Sequence, residues 1–234
     1  LRNIERQMKN KKDISFILPT NRNYEQFSKK VIDNINSLNF FDKTYEIIVI
    51  SPQEISGDNV VYVKEEETTS GCVNGYNEGY KKSTGEYIIL CSDDHYFDFN
   101  CPSIIDVLES APFSPRKYKI ICLPTNKHDA CKLPDYTDCG GIIARYPVFS
   151  RETIENHLGG YVYHPAFKHH YPDNWLGYWL NQQGESAIEY SQFDMITFSN
   201  SCYKIHDDHD EEVFKALIKN YKLGDTNYVA ATTV

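Results

Sequence analysis

Residues 86–95, EYIILCSDDH, decide the fold. Ile88, Ile89 and Leu90 form a continuous apolar run rather than an alternating one, the pattern of a strand buried on both faces. The run stops at Asp93, Asp94 and His95. In open α/β sheets ligands bind outside the carboxyl ends of the strands, so acidic groups at a strand exit face a pocket rather than the core. Two adjacent carboxylates repel, which favours a cation between them and suits a hard ion such as Mg²⁺ or Mn²⁺. A solvated Asp-Asp turn is the second reading, and the pair alone does not choose between the two.

Upstream, residues 14–18 predict a strand broken at Pro19, then a short PTNR loop and an amphipathic helix marked by Tyr24, Phe27, Val31, Ile35 and Leu38. Residues 45–50 predict a second strand ending at Ser51-Pro52, and residues 60–63 a short third one before the acidic run 65–67. A helix over 71–82, closed by Gly85, leads into the strand quoted above. Strands alternating with helical segments at this spacing predict βαβ units and a mainly parallel sheet flanked by helices, an α/β fold.

Downstream the pattern loosens. Pro102 opens a short helical pattern through Ile104, Ile105 and Leu108, residues 119–123 predict a strand, and a long loop runs to about Gly140. So long a loop in a compact domain is usually functional or locally structured. Residues 140–146 predict another strand and 151–157 a helix ended by Gly159-Gly160. Trp175, Leu176, Trp179 and Leu180 have helical spacing with Gly184 as the stop, which puts Asp173 at or just before the helix start, where it suits an N-cap. Residues 186–190 and 195–198 predict strands, and Val213, Phe214, Leu217 and Tyr221 mark a last amphipathic helix.

The 234 residues suffice for one sizeable core, with residues 1–12 as a polar lead-in to a single domain over 13–234. A net charge of −9 and a pI of about 5.4 argue against nucleic acid as a partner. Apolar runs fall short of the roughly 18 residues a transmembrane helix needs, and no signal-peptide pattern opens the chain, so a soluble cytoplasmic protein is expected. Seven cysteines without a CxxC pair fit reduced thiols. The start at Leu1 suggests a trimmed chain or part of a longer chain or assembly.

Five segments in order carry a resemblance: ISFILPTNR (14–22), YEIIVIS (45–51), GCVNGYNEGYKKSTGEYIILCSDDH (71–95), LGGY (158–161) followed by FKHHYPDNWLGYWLNQQG (167–184), and IHDD (205–208). Together they resemble the family 2 glycosyltransferases of the GT-A fold, a Rossmann-like single domain. The resemblance implies a nucleotide-binding half over about 13–100 and an acceptor-binding half over about 101–234. It makes Asp94, then Asp93, the metal ligands of a DxD-like motif, with His206 as a further ligand. Pro19, Thr20, Arg22, Ser51 and Asp93 fall beside the nucleotide, and Asp173 becomes the catalytic base. His170, Tyr171 and Trp175 fall on the acceptor side. Three positions depart from the family pattern: Ser51 replaces an acidic residue, Tyr76 an arginine, and Pro172-Asp173 keeps one carboxylate where the family has two.

The implied activity is inverting transfer of a sugar from a UDP, GDP or dTDP donor to a hydroxyl of a glycan or similar acceptor, with Mn²⁺ or Mg²⁺ as cofactor. The chemistry of the residues agrees: a departing diphosphate calls for a cation held by oxygen or imidazole ligands, and a single displacement calls for one base. A non-catalytic module of the same fold that binds a nucleotide sugar or glycan is the alternative. The aromatic residues Tyr161, Tyr163, Tyr171, Trp175, Tyr178 and Trp179 are equally open to two readings, core packing or stacking against sugar rings. His206, His209 and the neighbouring Asp residues also fit a solvated acidic turn.

Overall fold

The computed structural model describes residues 11–40, 42–65, 71–99, 109–110, 117–123, 144, 146–185, 188–189, 193–197, 208–222 and 225–229. Its first half follows the predicted alternation: β1 (Ile14–Pro19), α1 (Ser28–Ser37), β2 (Tyr45–Ser51), β3 (Val60–Lys64), α2 (Cys72–Lys82) and β4 (Tyr87–Leu90). Then come β5 (His95–Phe99), β6 (Ile120–Cys122), β7 (Pro147–Ser150), α3 (Arg151–His157), α4 (Pro172–Gln182), β8 (Ile188–Glu189), β9 (Phe193–Thr197) and α5 (Asp208–Asn220).

A seven-stranded sheet in the order β3-β2-β1-β4-β7-β6-β8 forms the centre. The β3-β2-β1-β4 half is parallel, and β7 is antiparallel to both β4 and β6. β8 runs parallel to β6. The sheet is therefore mixed and mostly parallel, and it crosses from the first half of the chain into the second without a break.

Period-two alternation sorts the strand residues onto two faces. Phe16, Leu18, Ile47, Val49, Tyr87 and Ile89 pack with Val31, Ile32 and Ile35 of α1. Ile17, Ile48, Ile50, Ile88 and Leu90 pack with α2 to α5 on the other side. Helix α2 lies close to the sheet because Gly75 and Gly79 present no side chain. A Cβ on Gly75 would sit 2.7 Å from Cβ of Pro19, and one on Gly79 would overlap Ile17 and lie 2.7 Å from Cδ1 of Ile50. Gly79→Ala is thus expected to cost about 1–3 kcal/mol through overpacking, despite alanine's better helix propensity. Urea unfolding measures it, and an unchanged midpoint would contradict the close packing.

Several boundaries differ from the sequence expectation for local reasons. Helix α1 begins at Ser28 because Oδ1 of Asn23 accepts the Gln26 N–H at 3.1 Å and holds residues 24–27 in a turn. Of the strand expected over 140–146, residues 140–143 and 145 lie outside the described residues; the described strand is Pro147–Ser150. Tyr146 at φ 42° turns the chain immediately before it, and Pro147 is tolerated as the strand's first residue. The helical pattern from Pro102 and the loop around Cys131 lie outside the described residues.

Strand β5 was not expected. It pairs antiparallel with β9 in a separate two-stranded ribbon, His95 opposite Thr197. Asn34 of α1 holds this ribbon by exchanging both amide hydrogen bonds with the backbone of Phe97, at 2.8 and 3.2 Å. Among the described residues no helix is long and apolar enough to cross a membrane.

Candidate active site

The carboxyl ends of β1, β2 and β4 open on one edge of the sheet, and Pro19, Thr20, Arg22, Ser51, Asp93 and Asp94 stand at or just beyond these strand ends. Thr20 leaves β1 with its N–H on the Ile50 carbonyl at 2.8 Å. Its hydroxyl donates to Oδ2 of Asp93 at 2.7 Å and accepts from Ser28 at 3.0 Å. Arg22 stacks its guanidinium over Phe27 at 4.9 Å. From there Nη1 lies 3.5 Å from Oδ1 of Asp93 and 3.5 Å from Oδ2 of Asp94.

The second oxygen of Asp94 is held separately. Oδ1 accepts from Ser92 at 2.5 Å and sits 2.6 Å from Nδ1 of His95, whose Nε2 is 3.3 Å from the Tyr146 hydroxyl. Burial pushes both carboxyls up. In Asp93 burial and the Asp94 charge prevail over Thr20 and Arg22, so its pKa lies above the ordinary value. In Asp94 the hydrogen bonds from His95 and Ser92 and the Arg22 charge outweigh burial, and its pKa lies below.

Each carboxylate thus has one oxygen engaged by the protein and one aimed at a common cationic point, now the Arg22 guanidinium. Two converging oxygens suit a hard divalent ion that completes its shell with phosphate oxygens and water. Among the described residues no three His, Cys, Asp or Glu groups converge into a fuller metal cage. His206 lies outside the described residues. The described chain on either side of its segment ends at Thr197, opposite His95, and resumes at Asp208.

Pro19 ends β1 against Gly75. Ser51 is buried at the end of β2, its hydroxyl accepting from the Gln53 N–H at 3.2 Å and its carbonyl from the Tyr62 hydroxyl at 3.2 Å. Tyr76, the departure from the family's arginine, donates to the Cys91 carbonyl at 2.7 Å and so braces the exit of β4 from below.

Asp173 is not the N-cap of α4. That position belongs to Tyr171 in the left-handed region (φ 64°), with Pro172 next and Asp173 in the first turn. The proline places φ for the first helical residue and so starts the helix ahead of Asp173. Oδ1 of Asp173 accepts the Asn174 N–H at 3.0 Å, and its carbonyl accepts from Ala144 at 3.2 Å. The side chain is half-buried.

The aromatic residues expected around an acceptor divide by burial. Trp175 has no exposed surface and stacks with Tyr178 at 5.8 Å; Tyr171 is 8% exposed and stacks on Phe214 of α5 at 5.4 Å. For these two the core reading prevails over the open stacking face, because α4 turns its apolar side onto α5. His170 is half-buried, with Nε2 enclosed and without a hydrogen-bond partner. Asn174, next to Asp173, and Tyr178, further along the helix, keep partial exposure, as does Tyr161 in the segment before α4.

Sequence reasoning missed three site residues. His95 was noted only as the end of an acidic stretch, yet it orients Asp94. Asn77 is buried and clamps the loop before α4 by accepting from Val162 and Tyr163 at 3.1 and 3.2 Å and donating to the Tyr163 carbonyl at 3.0 Å. Asp210 is fully buried and accepts backbone N–H groups of Lys168, His169 and His170. Nothing in an acidic run such as DDHDEE marks Asp210 as buried.

His164 packs against Phe167, Trp175 and Tyr228 with no exposed surface, and desolvation pushes its imidazole down from 6.5 to about 4. The unfolded chain then binds the extra proton first, so the stability associated with neutral His164 is complete above pH 6.5 and is lost as pH falls towards 4. The loss reaches about 3 kcal/mol at the lower end. Urea midpoints between pH 7.5 and 4.5 test this: His164→Phe should flatten the slope, and an unchanged slope would refute the assignment.

No protein-family model matches the sequence, and no curated protein matches it. Solved structures do. Residues 1–349 of S. aureus TarS in complex with UDP align with 79% of this chain and 60% of their own at TM-score 0.55 and 11% identity. A longer TarS structure aligns over 80% of this chain and 37% of its own, at TM-score 0.55 and 12% identity. The mannosyltransferase PcManGT from Pyrobaculum calidifontis, in complex with GDP-Man and Mn²⁺, aligns over 86% and 64%, at TM-score 0.54 and 14% identity. The chain has the GT-A glycosyltransferase fold. It spans less than two thirds of the length of each of these proteins. Within the GT-A fold, the acidic pair stands at the exit of β4, beside β1 and β2, where a sheet of this kind binds its ligand.

Proposed function

We propose that the protein is an inverting, metal-dependent glycosyltransferase that moves a sugar from a nucleoside-diphosphate donor of the UDP, GDP or dTDP type to a hydroxyl of a glycan or similar acceptor. The observation that carries this reading is the convergence of one oxygen from Asp93 and one from Asp94 on a single cationic point at the exit of β4. The complexes of similar structures, UDP on TarS and GDP-Man with Mn²⁺ on PcManGT, support it.

In this reading Pro19, Thr20, Arg22, Ser51 and Asp93 line the nucleotide. Asp93, Asp94 and His206 hold Mn²⁺ or Mg²⁺, which when bound neutralises the charge developing on the departing diphosphate. Arg22, already balancing the two carboxylates, is the chain's own cation for phosphate oxygens. Asp173 takes the proton of the acceptor hydroxyl on the other side of the site. Tyr171 and Trp175 back that wall and keep Asp173 in place, with His170 beside it.

Calorimetry with UDP, GDP and dTDP, each with and without Mn²⁺, tests the donor site, followed by release of sugar from the matching nucleotide sugars. Metal-dependent binding with turnover supports the transferase. Binding without turnover would select the non-catalytic module, and no binding at all would overturn the reading of the acidic pair.

A further inference from the structure

The buried carboxylate of Asp210 sits in the first turn of α5, yet its partners lie on another segment. Oδ1 accepts from the backbone N–H of Lys168 at 2.8 Å, and Oδ2 accepts from His169 and from His170 at 2.7 Å each. The same turn is gripped from the opposite side by the start of α2. The Val73 N–H donates to the Lys168 carbonyl at 3.1 Å, and the Cys72 N–H to Nδ1 of His169 at 3.4 Å. Three residues beyond His170 stands Asp173, reached through left-handed Tyr171 and fixed-φ Pro172. The carboxylates of Asp210 and Asp173 both bear on the Cys72 thiol, which burial first and these two charges next push up to about 12.

We infer that Asp210 is the positioning residue of Asp173: by gathering three consecutive N–H groups it fixes the turn from which the proposed base projects. A neutral cap would suffice to satisfy a turn. A fully buried carboxylate is a costly choice, and its three charge-assisted bonds are correspondingly short and directional. Between His170, which Asp210 holds, and Asp173 stand one positive φ at Tyr171 and one proline, so little backbone freedom intervenes. A shift of the turn is therefore passed on to the Asp173 carboxylate. Donor residues Thr20, Arg22, Asp93 and Asp94 share none of these bonds.

This inference rests on the assignment of Asp173 as base, and the test separates the two. Asp210→Asn replaces one of the two accepting oxygens by an NH2 group that cannot accept, and Asp210→Glu keeps the charge but displaces it. The crystal structure of whichever variant folds is expected to show the Asp173 carboxylate moved, with the Asp93–Asp94–Arg22 cluster in place. An unmoved Asp173 overturns the inference whatever the activity.

The kinetic arm uses UDP-glucose and GDP-mannose with Mn²⁺ and water as acceptor, following nucleotide release. Misplacing the base should lower kcat by up to about 10²-fold with donor KM unchanged. It should cost nothing further in the Asp173→Asn background, because the two residues act as one unit. Equal losses in both backgrounds mean that Asp210 only supports the fold. Full turnover by Asp173→Asn alone removes the base assignment, and the crystallographic arm still decides whether Asp210 positions that side chain.

Discussion

Asp173→Asn is expected to remain folded, to bind Mn²⁺ and nucleoside diphosphate like the parent protein, and to lose about 10²–10⁴ in transfer rate. Asparagine retains Oδ1, so the hydrogen bond from the Asn174 N–H survives, while the proton-accepting carboxylate does not. Tyr171 is the N-cap, so the substitution leaves the cap intact and forfeits only the first-turn charge, worth about 0.3–1 kcal/mol. Thermal unfolding checks the fold, calorimetry the binding, and product formation the rate. A single displacement also predicts inversion at the anomeric carbon, which NMR of the product reads directly. Near-parental transfer by the variant, or a product with the donor's configuration, would remove Asp173 from the chemistry.

Asp94→Ala should weaken Mn²⁺-assisted diphosphate binding by at least about 10²-fold. Loss of a mere outer partner of a metal ligand already costs about 10–100-fold, and in the proposed site Asp94 would offer the ion an oxygen directly. The variant also frees the imidazole of His95 from its 2.6 Å contact, so Asp94→Asn, which keeps an acceptor for His95, is the companion. Both should lose metal-dependent affinity and differ in stability. Unchanged UDP and GDP affinity in Mn²⁺ for both variants would falsify the two-carboxylate site.

Strands β1, β2 and β4 of the parallel half were legible because they are buried on both faces and announce themselves as apolar runs interrupted only by Ser15 and Glu46, over 14–18, 45–50 and 87–90. The acidic pair was legible because it interrupts such a run. Strand β5 was not: HYFDF is short and follows a turn-like DD, and its partner β9 lies far along the chain. The N-cap of α4 was misread because capping preference favours Asp, whereas Pro172 sets the first helical residue one position earlier. Helical spacing put Trp175 on the apolar stripe with Leu176, Trp179 and Leu180 and left Tyr178 off it, and burial follows that division. Asp210 shows the limit for charge, since a buried acid and its solvated neighbours read alike until long-range partners are known.

The antiparallel pairing of β5 with β9 bears on the order in which the molecule can fold. His95, next to the acidic pair, meets Thr197, and the ribbon's remaining pairs, down to Phe99 with Phe193, are nearly as remote in sequence. Contacts of such separation form after local ones, because closing the intervening chain must precede any gain from pairing. Strands β1 to β4 with α1 and α2 can therefore assemble as an early unit while Asp93 and Asp94 still lack their neighbouring ribbon. During synthesis the end that carries Asp93 and Asp94 would mature only after residue 197 has left the ribosome, so a shortened chain would hold a folded sheet edge and yet lack the completed ribbon beside the proposed diphosphate site.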